Sequence, residues 1–259
     1  MEACNRGGES EMIIGRWLAR RGRRDDVVIA TKVAKWTVHK GLAPATIQAA
    51  ADDSLKRLGI DTIDLYFAHE DDPSVPLADT LGAFARLIEH GKVRAIGASN
   101  YSAARFAEAL DTSDALGLPR YEVLQPEYNL VTRKNYEGAL EPLIRDRGIG
   151  VVPYYSLASG FLSGKYRSVD DLHKSATRAA AVGKYINGHG LRVLAALDDI
   201  ARRHSATPAQ VALAWLIARY GITAPIASAT SAAQVVDLAA AVALKLSADD
   251  IEQLDLVSA

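Results

Sequence analysis

The sequence predicts an α/β fold whose parallel strands close into a (β/α)8 barrel. Two patterns carry this prediction: short apolar segments alternate with amphipathic helical stretches, and a glycine follows several of those stretches. Because each helix returns the chain to the same end of the sheet, strands that alternate with helices pair in parallel. No G-x-G-x-x-G motif follows any of the segments, which favours the barrel over an open nucleotide-binding sheet. We expect a single barrel domain over residues 1–259.

The helices are predicted from apolar residues at helical spacing. The first lies around Ile13–Leu18, near the start of the chain. Four others end at Gly59, Gly91, Gly148 and Gly221. Glycine accepts the left-handed backbone that closes a helix, so each of these positions predicts a helix end.

The strands are predicted from apolar runs that end in a polar residue. In chain order they are Val27–Thr31, Ile63–Ala68, Val93–Ala98, Glu122–Leu124, Ile149–Val152 and Ala224–Ala227. Residues 157–190 break this alternation with a small, polar and partly basic stretch. Long segments of this kind inside a compact fold are usually functional or disordered.

Composition excludes several classes of partner. The net charge of −1 gives no reason to expect nucleic acid or an anionic membrane as a partner. Cys4 is the single cysteine, so an intrachain disulfide is impossible. The opening residues do not resemble a signal sequence and no apolar run is long enough to span a bilayer, so we expect a cytoplasmic protein.

Polar residues stand where the predicted strands end. They are Lys32, His69, Ser99 with Asn100, Gln125, Tyr154 and Ser228. In a parallel barrel the C-terminal ends of all strands open on one face, which is where barrel active sites lie. Each residue alone has a structural explanation, such as a surface lysine or a satisfied rim histidine. A polar residue at every strand end nevertheless predicts a functional site.

The same residues do not predict a metal site. Only His69 is a good ligand among them, and no second histidine lies at ligand spacing beside it. A metal-dependent barrel hydrolase is therefore disfavoured. Asp71 and Asp72, in the loop after His69, are expected to face solvent.

Several sequence segments carry a resemblance to a known family. In chain order they are IATKV, LGIDTIDLYFAH, GKVRAIGASNYS, LQPEYNL, VVPYYSLASGFLSGKY and PIASATSAAQV. Together they resemble the aldo/keto reductases, from about Gly8 to the C-terminus, and the second half is most similar to the bacterial members. The resemblance implies a (β/α)8 barrel that transfers a hydride between NAD(P)H and an aldehyde or ketone.

The resemblance also implies a role for individual residues. Lys32 matches the catalytic lysine, whose charge favours ionisation of a neighbouring tyrosine, and His69 matches the histidine that polarises the substrate carbonyl. The positions that match cofactor ligands are Ser99, Asn100 and Gln125 for the nicotinamide carboxamide, Tyr154 for stacking on its ring, Ser159, Gly160, Leu162 and Lys165 for the pyrophosphate, and Ser228, Thr230 and Gln234 for the adenosine ribose.

The cofactor implied by the resemblance is NADP. Thr230, Ser231 and Gln234 stand where NADP-dependent members usually place Arg or Lys against the 2′-phosphate, so NAD is the alternative. The partner implied by the resemblance is a small-molecule carbonyl or alcohol substrate. The sequence specifies neither the identity of this substrate nor the oligomeric state.

Two residues of the family pattern have no counterpart here. The family's proton donor is a tyrosine, shortly after an aspartate that pairs with the lysine, and both follow the second barrel strand. The opening segment from Gly8 resembles the second barrel helix, so the chain would supply about six of eight strands. We expect Met1 to be an internal start of an N-terminally truncated enzyme. The alternatives are a non-catalytic cofactor-binding or regulatory protein, as in the family's channel-associated β subunits, and an inactive remnant.

Overall fold

The computed structural model describes residues 7–174 and 177–259, so Cys4 lies outside the described residues. Its contacts divide the chain into two compact units, Met1–Gln125 and Pro126–Ala259. The single domain expected over residues 1–259 stays a prediction. Within the described residues, no helix has both the length and the apolar character needed to cross a membrane.

The first unit alternates helices and strands. Its helices are α1 (Glu9–Arg21), α2 (Pro44–Leu58), α3 (Leu77–Glu89) and α4 (Ala103–Leu116), with a short 3₁₀ turn at Thr37–His39. Its strands are β1 (Ala30–Val33), β2 (Ile63–Ala68), β3 (Val93–Ser99) and β4 (Tyr121–Gln125). The strands pair in parallel in the order β1-β2-β3-β4. This confirms the predicted α/β class, and it is the strand order of a (β/α)8 barrel.

Local sequence explains where these helices begin and end. Pro44 occupies the first turn of α2, where a missing N–H costs nothing. The helix closes at Gly59, which has φ 64°, as its position in the sequence predicted. At the start of α4, the Ser102 hydroxyl accepts a hydrogen bond from the backbone N–H of Arg105.

One face of the sheet is covered by the helices. Tyr66 and Tyr121 lie on this face, where the ring of Phe84 from α3 packs edge-on against both. Phe106 from α4 stacks on Tyr121 at 6.1 Å between centroids. Aromatic contacts of this kind add to the apolar area they bury, so the core of the first unit lies between the sheet and its helices.

The first strand begins three residues later than predicted. Residues Val27 and Val28 suggested a strand start, but Val28 is 76% exposed. The carboxylate of Asp64 accepts the backbone N–H of Ile29 at 2.8 Å, a side-chain contact in place of a ladder contact. The strand therefore starts at Ala30, and Lys32 lies inside β1 instead of following it.

The second unit is mainly helical. Its helices are α5 (Glu141–Arg147), α6 (Ala179–Gly183), α7 (Gly188–Arg203), α8 (Pro208–Ile217), α9 (Ala232–Ala239) and α10 (Ala248–Ser258), with a π turn at Tyr136–Leu140 and 3₁₀ turns at Ala158–Ser163, Val169–Lys174 and Ala240–Val242. Its strand is β5 (Gly150–Val151). Gly148 closes α5 with φ 62°, as predicted.

The sixth predicted strand is not formed as a regular strand. The segment after Gly221 runs beside β5, with Thr223 N–H bonded to the Val151 carbonyl at 2.8 Å and Ile226 N–H to the Pro153 carbonyl at 3.0 Å. Pro225 lies between the two donors and has no N–H to give, which interrupts the ladder. The described residues therefore contain five strands, where six were expected.

Candidate functional site

Lys32 lies on the face of the sheet opposite to the helix-covered face. Its register partners across the sheet are Phe67, Gly97 and Val123. The Lys32 ammonium sits 5.6 Å from the centre of the Phe67 ring. A Cβ added to Gly97 would meet that ring at 2.5 Å, so the missing side chain of Gly97 makes room for it. These four residues form one layer on this face.

The next layer on the same face contains three predicted site residues. His69, Ser99 and Gln125 stand two positions beyond Phe67, Gly97 and Val123, and successive side chains of a strand alternate between faces. His69 continues the parallel ladder through its N–H, which donates to the carbonyl of Val33 at 2.9 Å. The Ser99 hydroxyl donates to the backbone carbonyl of Gln125 at 2.8 Å. The strand ends therefore place these residues side by side, as predicted.

Asn100 links two of these strand ends. Its side-chain amide donates to the backbone carbonyl of His69 at 2.8 Å and to the Ser99 hydroxyl at 3.2 Å. Its backbone is left-handed, with φ 57°, a conformation that Asn tolerates better than most residues. Asn100 thus holds the end of β3 against the end of β2.

Gln125 provides a test of whether a nicotinamide fits here. The residue is 5% exposed, and its side-chain amide forms no hydrogen bond with the residues that the structure describes. Side-chain amides usually form hydrogen bonds, so this amide is a candidate for binding a ligand. An amide both donates and accepts, as a carboxamide does, so two such groups can pair. The donor set of this layer fits the nicotinamide carboxamide.

The tyrosines of residues 7–125 lie away from Lys32. Tyr66, Tyr101 and Tyr121 are buried on the helix-covered face, and the last two share a hydrogen bond of 3.2 Å between their hydroxyls. Burial raises the pKa of the Tyr101 phenol to about 12 and raises that of Tyr121 well above its ordinary value. A proton donor activated by a lysine would have a lowered pKa, so these phenols do not replace the family's tyrosine.

Asp71 and Asp72 do not simply face solvent, which corrects the expectation from their loop position. Asp71 binds Arg105 through both carboxylate oxygens, at 3.0 and 3.1 Å. Asp72 accepts the backbone N–H of Leu42 at 2.9 Å. Local sequence does not indicate these partners, because Leu42 and Arg105 lie about 30 residues away along the chain.

Tyr154 follows β5 in the second unit. Its N–H donates to the carbonyl of Pro126 at 2.9 Å, and its ring meets Tyr155 edge-on at 5.1 Å between centroids. Burial, with Glu127 as a second cause, raises the pKa of the Tyr154 phenol. A neutral aromatic ring suits stacking on a ligand ring. That Tyr154 joins the residues of the first unit around one ligand stays a prediction.

The predicted pyrophosphate loop forms a tight turn in the second unit. Ser159 and Gly160 have positive φ values of 59° and 97°. Leu162 is fully buried, and its N–H donates to the carbonyl of Leu157 at 3.2 Å. Beside Gly160 lie two cations: a Cβ at that glycine would meet Lys165 Cε and Arg178 Nη1 at 3.4 Å each. Lys165 was predicted from the sequence, whereas Arg178 was missed because it is 18 positions further along the chain.

The predicted ribose-site residues Ser228, Thr230 and Gln234 lie at the start of α9 and are exposed. The Gln234 side-chain oxygen accepts hydrogen bonds from the Thr230 N–H at 2.9 Å and the Thr230 hydroxyl at 3.1 Å. Ser231 caps the helix by accepting the Gln234 N–H. These contacts give the loop a defined shape without adding a cation to it.

Comparison with known proteins identifies the family. The model of the aldo/keto reductase family matches residues 6–259. An aldo-keto reductase str7 of Strobilurus tenacellus is 36% identical, with 82% of this chain aligned to 62% of that protein. Aldo-keto reductase yakc [NADP(+)] of Schizosaccharomyces pombe is 33% identical, over 82% of this chain and 64% of its own length. A probable voltage-gated potassium channel subunit beta of Arabidopsis thaliana is 33% identical, over 88% of this chain and 72% of its own length.

Parallel strands alternating with helices, and polar side chains gathered at their C-terminal ends, define an α/β-barrel class with its site at the strand ends. Within that class, the chain belongs to the aldo/keto reductase family, a family of oxidoreductases. The matched region spans less than two thirds of the two reductases named above.

Proposed function

We propose that this chain binds a nicotinamide dinucleotide at the ends of β1–β4 and transfers a hydride between NAD(P)H and a small aldehyde, ketone or alcohol. One observation carries the proposal: Lys32, His69 and Gln125 lie on one face of the sheet, with Asn100 bonded to His69 at 2.8 Å. Amide side chains that can hydrogen-bond a carboxamide thus lie near a histidine and a lysine that can stabilise charge on a carbonyl oxygen.

The residues at these strand ends have separate tasks in such a reaction. The bound cofactor supplies the hydride, and negative charge then develops on the carbonyl oxygen of the substrate. His69 donates a hydrogen bond to that oxygen, and the Lys32 ammonium stabilises its charge. Asn100 and Gln125 hold the nicotinamide through its carboxamide, with Ser99 bracing both at the strand ends.

The proton donor limits the expected rate. The phenols of Tyr66, Tyr101 and Tyr121 are buried on the opposite face and are therefore not proposed as the donor. A placed general acid contributes roughly 10²- to 10⁴-fold. Cofactor binding does not depend on this donor, so it can be measured separately from turnover.

NADP is the proposed cofactor. Lys165 and Arg178 beside Gly160 suit the phosphates of either dinucleotide. A relative named for NADP(+) favours the 2′-phosphorylated form. NAD is the competitor, because Thr230 and Gln234 offer no cation near the predicted ribose site.

Titration of both cofactors while following tryptophan fluorescence tests the binding step. We expect saturable binding, tighter for NADPH than for NADH. Gln125→Met, which preserves volume and removes the amide, should weaken binding about tenfold. The matched control is Gln48→Met on α2, whose amide donates to Asp52 at 3.1 Å. Equal affinity for wild type and Gln125→Met would refute the placement, and tighter NADH binding would overturn the choice of cofactor.

A single-turnover assay tests the chemistry. Pre-bound NADPH is mixed with a panel of aldehydes and the loss of reduced nicotinamide is followed. Lys32→Met and His69→Ala should each slow this loss by about 10²-fold or more, while the cofactor still binds. Unchanged rates in both variants would remove these residues from the mechanism.

The second candidate is a non-catalytic cofactor-binding or regulatory protein. The similarity to a probable voltage-gated potassium channel subunit beta favours it. Saturable cofactor binding with no hydride transfer to any aldehyde of the panel would select this alternative. Failure of both cofactors to bind would exclude both candidates.

A further inference from the structure

The loop that carries His69 is braced on two sides by consecutive carboxylates. His69 itself is held through its backbone, by the Val33 carbonyl on one side and the Asn100 amide on the other. Asp71 and Asp72 follow it in the same loop and reach different neighbouring segments. Each carboxylate therefore connects the His69 loop to a segment next to another residue of the proposed site: Asn100 for Asp71, and Lys32 for Asp72.

Asp71 connects the loop to the segment after β3. Both of its oxygens accept from Arg105 Nε, at 3.0 and 3.1 Å, and each side chain is only about one fifth exposed. Arg105 lies in the first turn of α4, where its backbone N–H is bonded to the Ser102 cap. Asn100 precedes that cap by two residues, so this contact couples the His69 loop to the Asn100 segment. Charge-assisted bonds from Arg to carboxylate are among the strongest in proteins.

Asp72 connects the loop to the segment after β1. Its Oδ2 accepts the Leu42 N–H at 2.9 Å, and Leu42 is 1% exposed. The neighbouring Gly41 has φ 84°, and a Cβ there would lie 2.5 Å from the same oxygen. Gly41 is also tied back to the end of β1, since its N–H donates to the Ala34 carbonyl at 2.9 Å. Asp72 thus couples the His69 loop to the strand that carries Lys32.

We propose that Asp71 and Asp72 are positioning residues that keep His69 in one orientation between Lys32 and Asn100. This inference rests on the proposed function for the identity of the site. Neither carboxylate need touch the substrate: each acts by fixing the loop from which His69 projects. Loss of either contact should let the His69 ring sample several orientations while the sheet stays folded.

Charge-conserving substitutions separate positioning from simple electrostatics. Arg105→Lys keeps the charge but removes the Nε donor that Asp71 uses. Gly41→Ala changes no charge and forces the Asp72 carboxylate aside. Their matched controls are Arg120→Lys, which alters an arginine bound to Glu122 away from the site, and Gly117→Ala, which has φ 63° and open space around the new Cβ.

The measurement is the ring ¹⁵N spectrum of histidine-labelled protein, with His69 assigned by its absence in His69→Gln. In wild type and in both controls we expect one sharp His69 pattern of a single tautomer. In Arg105→Lys and Gly41→Ala we expect a broadened or averaged pattern, and amide exchange about tenfold faster in residues 69–75. If Gly41→Ala does not fold, Asp72→Glu replaces Gly41→Ala as the test of Asp72. Arg105→Lys remains the test of Asp71.

An unchanged His69 pattern in both test variants would overturn the proposal, and so would an equal change in the controls. Cofactor titrations on the same samples keep the two hypotheses apart. If the ring pattern changes as expected but no sample binds NADP⁺, the positioning role of Asp71 and Asp72 is supported and the proposed function is refuted. If cofactor binds and the ring pattern does not change, the proposed function is supported and the positioning role is refuted.

Discussion

The side-chain amide of Asn100 donates a 2.8 Å hydrogen bond to the backbone carbonyl of His69. This bond joins the ends of two neighbouring parallel strands and lies at the level of Gln125. The family resemblance assigns Asn100 to the nicotinamide and His69 to the substrate carbonyl. The bond therefore connects a predicted cofactor-binding residue to a predicted substrate-binding residue. Any shift of Asn100 is therefore transmitted directly to the backbone of His69.

Asn100→Asp should destabilise the strand ends and weaken cofactor binding. The carboxylate keeps the size and the tolerance for φ 57°, but it cannot donate to the His69 carbonyl. We expect a loss of about 1–3 kcal/mol in the free energy of unfolding, measured by urea titration. Asn135→Asp is the control, since Asn135 is exposed and makes no side-chain cap contact. Equal stability of the two variants would contradict the role given to this bond.

Gly97→Ala should disturb the layer that contains Lys32. The added methyl would meet the Phe67 ring at 2.5 Å and the Val123 carbonyl at 2.8 Å. Overpacking of this kind costs about 1–3 kcal/mol, and displacement of Phe67 should also move the Lys32 ammonium that lies over it. Gly138→Ala is the control, with nothing within 4 Å of the new Cβ. Thermal unfolding compares them, and a Gly97→Ala protein as stable as the control would show that the sheet tolerates the methyl.

Lys165→Met and Arg178→Gln should each weaken NADPH binding. Both side chains flank Gly160 in a turn with positive φ values, where they can pair with phosphate oxygens. We expect about tenfold weaker binding for each variant and a smaller dependence of affinity on salt. Lys245→Met replaces an exposed lysine in the same unit and serves as the control. Affinities within error of wild type for both variants would place the phosphates elsewhere.

Asp250 should make the stability of the second unit depend on pH. Burial alone would raise the pKa of its carboxyl, but hydrogen bonds from the Ser247 backbone, His204, the Ser247 hydroxyl and Arg203 hold it far below its ordinary value. A depressed folded pKa means that the stabilisation is complete above the unfolded pKa of about 3.9 and is lost as pH falls toward the folded value.

Asp250→Asn should therefore lower the free energy of unfolding by about 1–3 kcal/mol at neutral pH, and this difference from wild type should shrink below about pH 4. Urea titration across pH measures both effects. Asp249→Asn, exposed in the same helical turn, should cost no more than about 0.5 kcal/mol. A difference for Asp250→Asn that does not vary with pH would contradict the assigned cause.

Much of the first unit was predictable from local sequence. Gly59 marked the end of α2, and the apolar run that ends at His69 marked β2. The location of Lys32, His69 and Gln125 on one face followed from topology, because parallel strands deliver their C-terminal ends to one edge. Lys32 lies one layer before His69 and Gln125 on that face, and the roles of all three toward a cofactor stay proposals.

Other features depended on contacts that local sequence does not encode. The start of β1 is set by the Asp64 carboxylate, 35 residues away from Ile29. Arg178 reaches Gly160 only after the intervening segment folds. Pro225 gave a usable signal that a sixth regular strand would be interrupted, since proline cannot donate to a ladder.

The most direct test of the nicotinamide site is the side-chain amide spectrum of ¹⁵N-labelled protein during titration with NADP⁺, with Asn100 and Gln125 assigned by substitution. The structure predicts that both amide resonances shift together and saturate with the same affinity as the fluorescence change. NADP⁺ binding that leaves both resonances unmoved would contradict a nicotinamide site at these strand ends.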